Sequence, residues 1–328
     1  MSKAKLSRQH LLAYSALLLA VTIWSIATVV IKATLDHVPL MSFLFYRFLI
    51  VGIIMLPFVW YETQKSPVNL KDLPTLIILG LLGQSGILFI FAGIKYTSAI
   101  DAAIIGAIAP LMIIALGHYY YKDKINTKLE IGLILATIGT LFVVFEPALM
   151  DNSEVETLTR IFGNLLVILY NFVFALYIIL SKKVMGERSG AVSETLRTFG
   201  IRALSKKYSP ALHTAISFYV ALLTFIPLYA AEVLGAFGEY TFKIEHISNI
   251  GLAGILYMAL LSSIVAYIAF QWGLDNSKVA DSGVFTYLGP VITLPAAYFM
   301  IGEIPSSIAL TGSAIILIGV IIAELRKS

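Results

Sequence analysis

The 328-residue sequence contains no cysteine, and only 13% of its residues are charged. Without cysteine there is no disulfide, no thiolate nucleophile and no sulfur-ligated metal, and thiol usage says nothing about the compartment. The shortage of charge excludes more. Soluble domains carry about 25% Asp, Glu, Lys and Arg, whereas this chain pairs its 13% with 59% hydrophobic residues, more than one aqueous core could bury. A net charge of +4 is too small for the basic face that nucleic-acid binding requires, so no nucleic-acid partner is expected. Local signatures of enzyme chemistry are also missing. There is no H-E-x-x-H, no G-x-S-x-G, no Walker A loop and no pair of acids placed mid-span. The expectation is a chain that is not an enzyme, with no cofactor, no metal and no ATP-driven step of its own.

What the sequence does have is apolar runs of 18 residues or more from end to end, each long enough to cross a bilayer. Breaks at charge, Pro and Gly clusters place ten helices near 11–33, 40–60, 74–94, 99–121, 129–146, 161–181, 210–230, 250–272, 280–300 and 307–324. The apolar run after the basic start is too long for a signal-peptide core and reads as the first membrane helix. The expected location is a cell membrane, with several passes through it.

Orientation follows from the basic residues. Lys3, Lys5 and Arg8 precede the first span, Lys122, Lys124 and Lys128 lie between the fourth and fifth, and seven basic residues occupy 182–209. The opposite set of connections holds only Lys32, Lys95, Arg160 and Lys243. The positive-inside rule then puts both termini in the cytoplasm.

The two halves of the chain repeat one another. At an offset of 180, Gly93 falls on Gly273, Asp101 on Asp281, Pro110 on Pro290, Asp123 on Glu303, Gly132 on Gly312 and Gly139 on Gly319. Earlier helices match at other offsets, Trp24 to Lys32 on Phe174 to Lys182 and Pro57 on Pro227. Pro, Gly and Asp are residues that a membrane helix does not place idly. Five helices per half is an odd number, so the halves are inverted relative to each other, the architecture of many secondary transporters.

The Trp24-Ser25 pair with Lys32 closing the first helix, Arg47 in the second, and the Asp101…Pro110…Asp123 run with its copy Asp281…Pro290…Glu303 together resemble the drug/metabolite transporter superfamily, in its ten-helix EamA-like branch. The resemblance runs from about 11 to 324. It implies a cytoplasmic tail 1–10, a first five-helix repeat 11–146, an external loop 147–160, a second repeat 161–324 and a tail 325–328. It also implies a monomer-sized bundle around a central cavity, with the fifth and tenth helices peripheral and a homodimer left open. The implied activity is export of a small organic solute, an amino acid or related metabolite, by alternating access. A channel or a lipid or drug translocator of the same fold is the alternative.

Candidate site residues follow. Arg47, about 12 Å along its helix at about 1.5 Å per residue, is a permanent charge costing at least about 2.5–3.5 kcal/mol to insert. It is either a bidentate clamp for a solute carboxylate or a packing residue bonded to carbonyls or to Asp36. Gln84 and Asn171 lie near mid-span, where an amide needs a partner; interhelical bonding and solute contact both fit. Trp24, Tyr170, Tyr219, Tyr267 and Tyr287 are candidate aromatic wall residues. Pro110 and Pro290 occupy corresponding mid-helix positions and are candidate kinks or gates. Asp101 and Asp281 read as caps of helix N-termini. The basic loop 182–209 fits either an amphipathic helix on anionic lipid or a solvated connection.

Overall fold

The structure, a computed structural model, describes residues 3–121, 127–150, 154–184, 201–206, 208–238, 240, 242–275 and 288–324. Among these residues the regular structure is all helical. The helices are α1 (Lys3–Leu35), α2 (Leu40–Lys65), α3 (Leu73–Gly80), α4 (Ile87–Tyr96), α5 (Ala99–Gly106), α6 (Ala109–Tyr121), α7 (Thr127–Leu149), α8 (Glu154–Val184), α9 (Pro210–Val233), α10 (Asn249–Leu256), α11 (Ala266–Asp275), α12 (Leu288–Ile301) and α13 (Ser307–Glu324). Two π segments, Leu81–Ser85 and Tyr257–Val265, join α3 to α4 and α10 to α11.

Eight helical stretches are long and apolar enough to span a membrane, and two shorter apolar helices, Leu288–Ile301 and Ser307–Ile322, complete the described set. Hydrocarbon offers backbone groups no partners, so helices that bond internally are the form such runs take. The protein is a multi-pass membrane protein. Where Ser precedes a run it caps it: Ser98 accepts from the Asp101 amide, Ser209 from Leu212 and Ser248 from Gly251. The sixth span begins at Glu154 rather than near 161, because Glu154 and Glu156 in its first turn complement the helix dipole. The fourth span is interrupted where α5 meets α6. Pro110 cannot donate to the carbonyl four residues earlier, and just upstream the amides of Ala107 and Ile108 tighten onto Ile104 and Ile105 at 3.1 and 3.2 Å.

The repeat is visible as reciprocal contacts. Glycines matched by the offset of 180 meet crosswise between α7 and α13: a Cβ on Gly139 would lie 2.6 Å from the Gly312 carbonyl oxygen, and one on Gly319 would lie 2.7 Å from that of Gly132. Only glycine permits such an approach. The same reciprocity joins α2 and α9. Glu232, at the end of α9, accepts from the amides of Met41 (3.0 Å) and Ser42 (2.8 Å) at the start of α2. Its counterpart Glu62, at the end of α2, accepts from Ser209 Oγ (3.1 Å) at the start of α9. Contacts in which i meets j and j meets i are what a two-fold relation between equivalent surfaces produces. The two π segments correspond as well, since residues 81–85 fall on 261–265 at the same offset.

Candidate functional site

The helix α2 carries Arg47 into the middle of the bundle, where it is 3% exposed. Among the described residues no acid pairs with it there, and Asp36 is not its partner. Nε and Nη2 both donate to Ser263 Oγ, at 3.1 and 3.0 Å, and the Ser263 hydroxyl donates to the Met258 carbonyl at 2.8 Å. A serine hydroxyl has one proton and two lone pairs, so Ser263 is saturated by this arrangement. That hydroxyl bond spans five residues within the second π segment. The Phe48 and Phe91 rings face the guanidinium at 5.0 and 5.4 Å, an attraction favoured away from water. A guanidinium has five N–H donors. The recorded bonds engage Nε and Nη2, which leaves capacity for a bidentate anion.

The first π segment supplies the facing polar group. Gln84, 3% exposed, donates from Nε2 to Tyr267 Oη at 3.0 Å, while its Oε1 is buried without a partner. Turning the amide over would exchange the two atoms and still leave one unpaired. Tyr267 and Tyr170 are both within electrostatic reach of Arg47. Trp24 lies edge-on to Tyr267 at 5.3 Å and donates from Nε1 to the Ser262 carbonyl at 3.0 Å, again in the second π segment. Phe218 closes the far edge of Tyr267 at 5.9 Å and 90°. Trp24, Tyr170 and Tyr267 are half-buried, whereas Arg47, Gln84 and Ser263 beside them are buried.

A ladder of rings leads away from this cluster along one face of α8. Tyr170 stacks on Phe174 at 5.9 Å, Phe174 meets Tyr177 at 6.0 Å, and Tyr177 stacks on His213 of α9 at 6.1 Å with 12° between planes. Gly83 makes room for it, since a Cβ there would come within 2.9 Å of the Tyr177 ring.

The structure thus brings Trp24, Arg47, Gln84, Tyr170 and Tyr267 together. It places others elsewhere. Asn171 is buried and donates from Nδ2 to the Ile105 carbonyl at 3.1 Å, tying α8 to the end of α5 beside the α5–α6 break. Tyr219 donates to the Gly52 carbonyl at 2.7 Å, between α9 and α2. Pro110 is the second residue of α6, and Pro290 is a buried residue of α12. Tyr287 and Asp281 lie outside the described residues, as do 185–200 and 207 of the basic loop.

The described part of that loop docks on the bundle. Ser205 and Tyr208 both donate to Asp72 Oδ2 at 2.6 Å, and the Arg202 amide donates to Thr75 Oγ1 at 2.9 Å. Burial, together with the bond to Asp72, raises the Tyr208 phenol above its ordinary range.

Asp101 corrects the sequence expectation of a cap. Its Oδ2 pairs with Arg160 at 2.9 Å and accepts from Thr97 at 3.2 Å; Ser98 and Glu303 satisfy the α5 amides instead, with Glu303 accepting from Ala99 at 3.1 Å and Ile100 at 3.2 Å. Glu146 joins the same cluster 3.6 Å from Arg160. Sequence reasoning did not single out Ser263, Tyr177 or His213 for this site. The Ser262-Ser263 pair inside an apolar run was the available signal for the first; nothing in the sequence marks a π segment.

Two inverted sets of helices that meet around a buried cation are the architecture of helical membrane transporters. The chain belongs to the EamA-like transporter family, whose model matches residues 11–145 and again 189–325. A protein of Archaeoglobus fulgidus named as an uncharacterized transporter is 25% identical over 322 residues, covering 98% of this chain and 99% of its own. Also 25% identical, over 93% of this chain and 92% of its own, is a Salmonella typhimurium protein named a probable amino-acid metabolite efflux pump. A solved crystal structure matches at a TM-score of 0.54 and 16% identity, covering 98% of this chain and 97% of that one, which speaks for the fold alone.

Proposed function

We propose that this transporter exports a small organic solute bearing a carboxylate, an amino acid or related metabolite, by alternating access around Arg47. The observation that carries the reading is a buried guanidinium with no acid against it among the described residues. A lone cation in this setting is costly, and a solute carboxylate would supply the missing charge in a two-point geometry. Ser263 and the rings of Phe48 and Phe91 hold the cation meanwhile, and Trp24, Tyr170 and Tyr267 offer apolar surface with polar edges to the rest of the solute. The free amide atom of Gln84 is a third contact. The efflux assigned by name to the Salmonella relative supports the outward direction. The basic residues favour cytoplasmic termini, with 147–160 outside and the loop 182–209 facing anionic inner-leaflet lipid.

The test is counterflow in proteoliposomes with radiolabelled amino acids and with the matching amines, which lack the carboxylate. Arg47→Ala is expected to reduce carboxylate flux by about tenfold or more, with Arg47→Lys partly active because it keeps the charge and loses the fork. A folded Arg47→Ala protein carrying the same amino acids at the unaltered rate would remove the clamp from the mechanism.

A further inference from the structure

Most of the titratable side chains buried in this membrane domain have polar or charged partners. Arg47 has Ser263, Lys32 donates to the carbonyls of Ile94 and Thr97, Asp101 pairs with Arg160, Glu232 and Glu303 cap helices, and Asp72 holds Ser205 and Tyr208. His213 is different. It is 4% exposed, its Nε2 is buried with no hydrogen-bond partner, and the backbone of its own turn is already satisfied, with its amide bonded to Ser209 and its carbonyl to Ser217 Oγ. A buried polar atom left unpaired costs about 1–3 kcal/mol and calls for an explanation such as a bound species or a second conformation.

Its surroundings say which species. The flat contact is the Tyr177 ring. The charged or titratable groups of the neighbouring elements are engaged elsewhere: Glu62 of α2 with Ser209, Asp72 at the head of α3 with Ser205 and Tyr208, and Lys206 with Ser66 and Pro67. The adjoining π segment contributes Gln84, which does not titrate. No salt bridge reaches the imidazole among the described residues. His213 also sits in the first turn of α9, at the positive end of that helix dipole. The simplest ligand for a lone imidazole nitrogen is a proton. Its charge would here be buried beside a like-signed dipole with no carboxylate paired to it among the described residues, so the protonated residue is accommodated only if this end opens to water.

Alternation of span direction puts the start of α9 on the same face of the membrane as the start of α1. The ring ladder from Tyr170 to His213 joins that end to the Arg47 cluster, with Tyr170 and Tyr177 about 10 Å apart along α8 at about 1.5 Å per residue.

We propose that His213 is a proton-binding site that operates the opening of the N-terminal end of the transporter: neutral in the closed arrangement, protonated when the α8–α9 contact parts. The inference rests on the transporter reading for its purpose. The step itself moves one proton from bulk water onto an imidazole lone pair and breaks no other bond.

Hydrogen–deuterium exchange of the detergent-purified, full-length protein tests it without any solute, so its failure is separable from failure of the Arg47 clamp. Peptides covering 177–184 and 210–218 are compared at about pH 5 and pH 8, either side of the ordinary imidazole range near 6.5, after correction for intrinsic exchange. The wild type is expected to exchange at least about threefold faster in acid in these peptides and not in α7 or α13. His213→Gln and His213→Phe should abolish that difference while α7 and α13 remain protected. An acid response absent from the wild type, or kept in full by either folded variant, would overturn the proposal.

Discussion

Replacing Ser263 by Ala removes a single oxygen, and the structure specifies what that oxygen does. It accepts from Arg47 Nε at 3.1 Å and Nη2 at 3.0 Å and donates to the Met258 carbonyl at 2.8 Å. Hydrogen bonds to charged groups contribute about 1.5–3 kcal/mol each. The guanidinium can recover part of the loss by swinging toward neighbouring carbonyls, so the expected cost is about 2–4 kcal/mol rather than the full sum. For a chain of this size each kcal/mol is worth roughly 2 °C in Tm, which makes the shift about 4–8 °C. The control is Ser262→Ala, one residue away, which leaves in place the backbone carbonyl that Trp24 uses and should shift Tm by no more than about 1 °C. Thermal unfolding of both variants in one detergent gives the comparison. Repeating it in an Arg47→Met background completes a double-mutant cycle: with the cation gone, the cost of Ser263→Ala should fall to about 1 kcal/mol or less. Equal costs for the two serine variants, or an unchanged cost in the Arg47→Met background, would refute the claim that Ser263 exists to hold the guanidinium.

Gly139→Leu should separate α7 from α13, since even a Cβ at that position meets the Gly312 carbonyl oxygen at 2.6 Å; a loss of about 2 kcal/mol or more is expected in thermal unfolding. Gly132→Leu, facing Gly319, should behave alike. Gln84→Leu removes an unpaired amide atom together with the bond to Tyr267 Oη, so the two effects offset and stability should stay within about 1 kcal/mol of the wild type, while counterflow of carboxylate solutes falls. Loss of stability with transport intact would make Gln84 a packing residue instead.

Much of the fold was legible because its determinants are one-dimensional. Run length gave the spans and the matched glycines gave the repeat, whereas the capping by Ser98, Ser209 and Ser248 and the contact of Gly139 with Gly312 emerged only in the structure. The offsets of 180 and 170 were readable from Pro, Gly and Asp alone. The site was legible only in part. Arg47 stood out because a charge within a span is expensive, and Gln84 because an amide is. Their partners did not, since Ser263 becomes an acceptor for Arg47 only through a π turn that residue types do not encode. Asp101 was misread as a cap because position in sequence suggested the nearest amides, whereas Arg160, 59 residues away, competes with full charge at 2.9 Å. Asn171 was legible as an amide needing a partner and not as the residue that ties α8 to the end of α5.

The inverted repeat also explains why the two unusual side chains of the interior are where they are. At the offsets that relate the halves, the Arg47–Ser263 pair corresponds to Ser217 and Gly83. Those positions frame the other end of the ring ladder: Gly83 underlies Tyr177, and Ser217 donates to the carbonyl of His213. Equivalent positions in the two halves are therefore occupied differently. In one, a serine holds a permanent cation. In the other, a glycine admits a tyrosine ring against an imidazole whose charge is optional. A symmetric scaffold has two arrangements of similar energy, and only a difference between its halves lets a ligand favour one of them. On the two readings proposed above, Arg47 would answer to the charge of a solute and His213 to the proton, and because they belong to different halves each would bias the same equilibrium independently.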